Sequence, residues 1–161
     1  MYIYNIVIIM KNNYIKQQII TFFVMLMVGM LFNPMNILAY RFSDLYISLT
    51  LFYGGLLMAS NMMWAHELLH YLMMGHFNYF VFIFGVVLSF IVSFLLLRKQ
   101  LFVNEKQWLK RMIGHHSTAL TTTKNLLENK KNFKNNPKLY RLAKDIVFNQ
   151  EREIIFMKSM L

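Results

Sequence analysis

Between Met1 and Leu97 the chain carries five charged side chains, Lys11, Lys16, Arg41, Asp44 and Glu67. From Arg98 onward fourteen Lys or Arg stand against five Asp or Glu, so this C-terminal part of the chain holds nine of its ten net positive charges. A stretch that long and that poor in charge cannot supply the wet surface of an ordinary soluble domain. The border near Arg98 therefore marks a change of solvent, with lipid before it and water after it. At 161 residues the chain has room for a membrane region plus one small soluble domain.

Read in order, Met1 to Met10 is apolar but too short to cross a bilayer, and Lys11 to Gln18 is polar. A signal peptide carries its positive charge first and ends in small residues, which this segment does not, so residues 1–18 read as an uncleaved, irregular N-terminal segment. Ile19 to about Tyr40 lacks charge and is long enough for a first span, with Pro34 set to kink or end its last turn. Arg41 to Asp44 is a polar turn in which Ser43 or Asp44 offers a helix N-cap. Leu45 to Gly75 is a second apolar stretch, longer than a bilayer core requires. Its Gly54-Gly55 and Ala59-Ser60 form a small-residue strip suited to close helix packing. Tyr79 to Leu97 is a third span, closed by Arg98-Lys99. After a short linker from Gln100 to Lys106, an amphipathic helix runs from Gln107 to about Lys130. The Asn- and Lys-rich run from Lys131 to Pro137 is a turn. Leu139, Leu142, Ala143, Ile146 and Gln150 then keep a helical period to near the C-terminus. The expected architecture is all-α, with three transmembrane helices over residues 19–99 and a two-helix domain over residues 100–161.

The absence of cysteine excludes disulfides, thiolate metal sites and cysteine nucleophiles. Fourteen methionines leave thioether as the soft ligand, one that suits Cu(I), although Met also fills irregular apolar space. The basic surface after Arg98 adjoins the membrane region, so it reads as solvated helix and as contact with anionic headgroups rather than as a nucleic-acid surface. Lys11 and Lys16 fall on one side of the three spans and Arg41, Arg98 and Lys99 on the other. By a small margin the positive-inside rule then points to a cytosolic C-terminal domain.

Two sets of residues have the chemistry of a site. In the first, Met112 stands one helical turn before His115 and His116, and Gln150, Glu153 and Met157 recur at helical spacing near the C-terminus. A hairpin brings these faces together, combining imidazole, thioether and carboxylate in a set suited to copper; the alternative is a polar seam. The second is His66-Glu67-Leu68-Leu69-His70, with His76 beyond. It has the spacing in which two His bind Zn and a Glu acts as general base, which would make the chain an intramembrane zinc protease. Where such enzymes turn the chain on a midway glycine, however, this sequence has Met73. The plainer reading is hydrated side chains at a membrane interface or a second ion or proton site.

Residues 108–120, Trp-Leu-Lys-Arg-Met-Ile-Gly-His-His-Ser-Thr-Ala-Leu, resemble the opening motif of the domain of unknown function 305 family. Its second motif is matched by Pro137, Leu139, Leu142, Ala143 and Ile146, then by Gln150, Glu153, Ile154 and Met157. Tyr46 to Thr50 and Leu57 to Ala59 are similar to members with membrane spans ahead of this domain. The resemblance implies a ferritin-like helical fold, with copper binding and copper tolerance in some members and an extracytoplasmic domain, against the charge rule. By position it implies Met112, His115, His116, Glu153 and Met157 as the metal-site residues. Members commonly carry Met shortly after the His pair, where this chain has Thr121-Thr122-Thr123, so one soft ligand is missing.

The function expected is membrane-anchored, multi-pass copper binding without catalysis, with zinc as the lesser alternative and a metal-free membrane scaffold as the competing class. Two helices bury little core alone, and ferritin-like sites use four. The hairpin is therefore expected to form a homodimer or to pack on its own membrane helices.

Overall fold

The computed structural model describes the backbone of residues 2–128, 133 and 136–161, and side chains within that set from Tyr14 onward. Among these residues the protein is all-helical, with no strand. Helix α1 spans Tyr2–Leu31 without a break, so the N-terminal segment expected to be irregular is helical. Its Lys and Gln are good helix formers, and neither Gly nor Pro interrupts it before Gly29. Pro34 has the expected effect. The helix stops short of it, and a one-turn helix α2 (Pro34–Ile37) restarts with Pro in its first turn and Asn33 as cap, the Asn33 side chain accepting from the Asn36 N–H at 3.1 Å.

A 3-10 turn at Phe42–Asp44 precedes α3 (Leu49–Met74). The cap of α3 is Ser48, whose Oγ accepts from the Leu51 N–H at 3.2 Å, and not Ser43 or Asp44. Asp44 is drawn instead into long-range contacts. Helix α3 ends on Gly75, whose φ of +69° is the left-handed conformation that favours glycine after a helix. Helix α4 (Tyr79–Ile91) is capped by the Asn78 side chain and continues as π-helical turns over Val92–Leu97. Helix α5 covers Glu105–Glu128 and α6 covers Pro137–Ser159. Apart from Phe133, Asn136 and Pro137, the last of which opens α6, the turn expected at Lys131 to Pro137 lies outside the described residues.

Among the described residues two segments are long and apolar enough to cross a membrane, Tyr14–Ile37 and Tyr79–Leu97. Three were expected. Helix α3 has the length, but Asn61, His66, Glu67 and His70 lower its mean hydropathy below that of the other two.

The chain divides into two compact units, Met1–Leu31 with Phe52–Leu101 and Phe32–Leu51 with Phe102–Leu161. The connector from residue 32 to 51 groups with the C-terminal helices. In the first unit α1 and α3 meet at glycine. A Cβ on Gly29 would lie 2.9 Å from the Gly55 Cα, and one on Gly55 would lie 2.8 Å from the Leu26 carbonyl oxygen. Gly54, by contrast, has nothing within 4 Å of such an atom. The strip continues through Ala59 and Ser60, both fully buried. Ser89 of α4 donates to the Ser60 hydroxyl at 3.0 Å. In the second unit Leu109, Ile113, Leu120, Ile154 and Met157 form the core between α5 and α6, with Met112, Val147 and Tyr46 packed against it.

Candidate functional site

The hairpin brings together part of the expected set. On α5 the two histidines diverge, as adjacent helical positions must: His115 is exposed and His116 is buried. Their ring centroids stand 6.0 Å apart. The His116 Nδ1 lies 2.8 Å from the Met112 carbonyl. A carbonyl only accepts, so Nδ1 carries the hydrogen. Nε2 then faces the Glu153 carboxylate of α6 at 2.8 Å. The two atoms are within hydrogen-bonding distance across the seam.

Met112 lies one turn before His116, and Met157 lies one turn after Glu153 on the antiparallel partner. Met157 is part of the buried core and Met112 packs against it, so both thioethers occupy the level next to the His–Glu pair. Gln150 is half-buried on α6. Of Thr121-Thr122-Thr123, the first two turn their hydroxyls back to carbonyls of their own helix. Among the described residues no three His, Asp or Glu side chains converge as a metal-binding group. A cation held here would therefore need thioether donors beside His116 and Glu153, which selects for soft ions over hard ones.

The His66 set lies in the first unit and is built differently. Glu67 is fully buried. One carboxylate oxygen accepts from the Tyr14 hydroxyl, with the Gln18 amide nitrogen at 3.5 Å, and the other accepts from the Asn78 N–H at 3.1 Å. The Gln18 amide nitrogen also lies 2.8 Å from His66 Nδ1. His66 and His70 stack at 6.2 Å, and His70 Nδ1 lies 3.1 Å from the His76 carbonyl. The His76 side chain itself is exposed. A general base needs an oxygen free to take a proton from water, and here both oxygens of Glu67 are engaged. The carboxylate ties α1, α3 and the start of α4 together.

Sequence reasoning missed a second polar cluster, in the C-terminal unit. Asp44, 1% exposed, accepts from the Ser117 hydroxyl at 2.7 Å and from Lys158 Nζ at 2.5 Å. Ser117 Oγ in turn accepts from the Tyr40 N–H at 2.7 Å. The available signal was a lone carboxylate in an apolar stretch, because buried charge is paired. Further along α5, Lys124 binds Glu151 at 2.6 Å and lies 4.0 Å from the centre of the Tyr40 ring. The hydrogen bond to Glu151 and the contact with Tyr40 raise the Lys124 pKa above the ordinary lysine value.

These features define an all-helical protein with long apolar helices and a C-terminal antiparallel hairpin whose seam carries His116, Glu153 and two thioethers. The chain belongs to the domain of unknown function 305 family. The sequence model named Domain of unknown function (DUF305) matches residues 97–161, which takes in all of α5 and α6. An uncharacterised protein of Acanthamoeba polyphaga mimivirus is 32% identical over 153 residues, covering 94% of this chain and 93% of that one. This similarity extends through the apolar helices as well as the hairpin. No solved structure matches.

Proposed function

We propose that the protein is an integral, multi-pass membrane protein whose C-terminal hairpin binds a soft metal cation, copper(I) first, for storage, sensing or tolerance and without catalysis. The observation that carries this reading is the 2.8 Å approach of His116 Nε2 to Glu153, with the Met112 and Met157 side chains on the adjoining level. The His116 Nδ1–H bond to the Met112 carbonyl is the arrangement that orients a metal-ligating imidazole and leaves Nε2 as the donor. Two ligands on one ion stand about 3–3.5 Å apart for metal–ligand bonds of about 2 Å, so metal entry requires the seam to open by about half an ångström. His116 would be the nitrogen ligand, Met112 and Met157 the sulfur ligands, and Glu153 an oxygen ligand or the charge that balances the ion. Bound there, the ion would cross-link α5 to α6 and be held in reduced form by sulfur. His115 points outward, so it contributes only across a contact with a second copy. For embedding, α1–α2 and α4 provide the apolar length, and α3, which meets α1 at Gly55 and α4 at Gly85, would be a third span.

The test is metal content of the purified full-length protein after reconstitution with Cu(I), by elemental analysis, for wild type, His116→Ala, Met157→Leu and His115→Ala. One equivalent in wild type, falling at least tenfold in His116→Ala and in Met157→Leu, is expected. Copper retained equally by wild type and His116→Ala refutes the seam as a site. Retention by His115→Ala separates a site within one hairpin from one shared between two copies.

A further inference from the structure

Beside the hairpin seam, on a different face of α5, lies a group the metal reading leaves unused. Arg111 is half-buried, and among the described residues its side chain has one hydrogen-bonding partner, the Met35 sulfur. Among the same residues it forms no ion pair, and burial lowers its pKa from the ordinary arginine value. A guanidinium taken partly out of water calls for a carboxylate or phosphate across its fork, and a neutral thioether is neither.

The surroundings supply further donors and no free acceptor charge. Arg111 lines a small cavity, with a volume of about 10 Å³, together with Lys110, Asn36, Ser48, Gly114 and Asp44. Lys110 is half-buried and has no ion-pair partner among the described residues. Ser48 is 2% exposed, and its oxygen accepts from the Leu51 N–H, which leaves its own hydrogen available to donate. The one carboxylate, Asp44, has both oxygens committed, to Lys158 and Ser117. The space admits about one oxygen atom, so an anion would place one oxygen inside and keep the rest at the mouth. Met35 and Asn36 belong to the last turns of the apolar segment Tyr14–Ile37, the level at which a bilayer presents its headgroups.

We propose that Arg111, Lys110 and Ser48 form a phosphate-binding site that seats the headgroup of an anionic glycerophospholipid, one phosphoryl oxygen entering the cavity. The lipid source rests on the membrane reading above, whereas the phosphate chemistry rests on the donors alone.

The experiment measures thermal unfolding of the full-length protein in dodecyl maltoside, at fixed ionic strength, with added phosphatidylglycerol, phosphatidylcholine or inorganic phosphate. Phosphatidylglycerol is expected to raise Tm by about 3–6 °C at concentrations well above its Kd, with phosphatidylcholine and inorganic phosphate giving less than a third of that. The rise should be lost in Arg111→Gln and at least halved in Lys110→Gln and Ser48→Ala. It should persist in Lys144→Gln, which removes the same charge from an exposed position on α6. Ser48→Ala and Lys110→Gln keep the test decisive if Arg111→Gln does not fold. An equal rise in Arg111→Gln, or an equal loss in Lys144→Gln, overturns the site. A rise with inorganic phosphate as large as that with lipid, and lost in Arg111→Gln, overturns the lipid assignment. Carbonate extraction of membranes tests the membrane reading separately. Protein that resists extraction but shows no lipid response refutes the headgroup site alone, and protein that is extracted refutes the anchoring.

Discussion

Asp44 accepts a hydrogen bond of 2.7 Å from Ser117, a residue 73 positions further along the chain, with both side chains almost wholly out of water. The second carboxylate oxygen takes Lys158 of α6. One acidic side chain in the connector thus reaches both helices of the hairpin, and the connector is a third wall of that unit.

Removing either end of this pair should be costly, and unequally so. Lys158→Met leaves a buried carboxylate facing only a hydroxyl, and a loss of about 3–5 kcal/mol is expected. Asp44→Asn keeps an acceptor for Ser117 and strands a lysine that still reaches solvent, so a loss of about 1–3 kcal/mol is expected. Denaturant unfolding of the full-length protein in detergent measures both. The double variant should fall well short of the sum.

The glycine pair in α3 separates packing from helix propensity within two adjacent positions. Gly55→Ala puts a methyl group 2.8 Å from the Leu26 carbonyl oxygen and should destabilise by about 1–3 kcal/mol through overpacking. Gly54→Ala meets nothing within 4 Å and should be neutral or gain up to about 1 kcal/mol from better helix propensity. Melting curves for the two variants side by side check the contrast, and equal losses would contradict the α1–α3 contact.

At Glu67 the expected result distinguishes a structural carboxylate from a catalytic one. Glu67→Gln keeps acceptor capacity on one oxygen, and about 1–2 kcal/mol should be lost. Glu67→Ala leaves the Tyr14 hydroxyl and the Asn78 N–H without an acceptor, and about 3–5 kcal/mol should be lost. Tyr14→Phe should give a smaller loss than Glu67→Ala and little further loss when added to it. Unfolding midpoints of the three variants and the Tyr14→Phe/Glu67→Ala double variant provide the measurement.

Lys124 has its pKa raised in the folded protein, first by its hydrogen bond to Glu151. The stability it adds is complete below the ordinary lysine value of about 10.4 and declines as pH rises through the raised folded value. Stability measured from about pH 9 to 12 should fall in wild type and fall less in Lys124→Met. The pair is partly exposed, so the difference should be small and should shrink further in high salt.

Local rules were enough to read most of the helices. Apolar runs, the break before Pro34, the helical period from Leu139 and the helical spacing of Met112 with His116 all depend on neighbours within a turn or two. His115 and His116 could not be told apart that way, because a pair 100° apart fits the seam with either member inward. The partners of Glu67 were beyond reach as well. Tyr14 and Gln18 lie 53 and 49 residues away, and only the register set by Gly29 against Gly55 brings α1 to that level. Asp44 looked like a cap because a cap needs only local sequence, and the residues that outcompete that role sit on α5 and α6.

The distance along the chain between Asp44 and Lys158, 114 residues, also sets an order of events during synthesis. The connector leaves the ribosome long before either helix that will cover it, while α3 and α4 follow directly behind. Until the final turn of α6 has emerged, Asp44 lacks its lysine partner and stays hydrated, which keeps the connector from packing. A fragment beginning near residue 97 would contain both motif helices but leave Ser117 and Lys158 without their carboxylate. The hairpin is complete only as a discontinuous unit, whose two parts have to be made and inherited together.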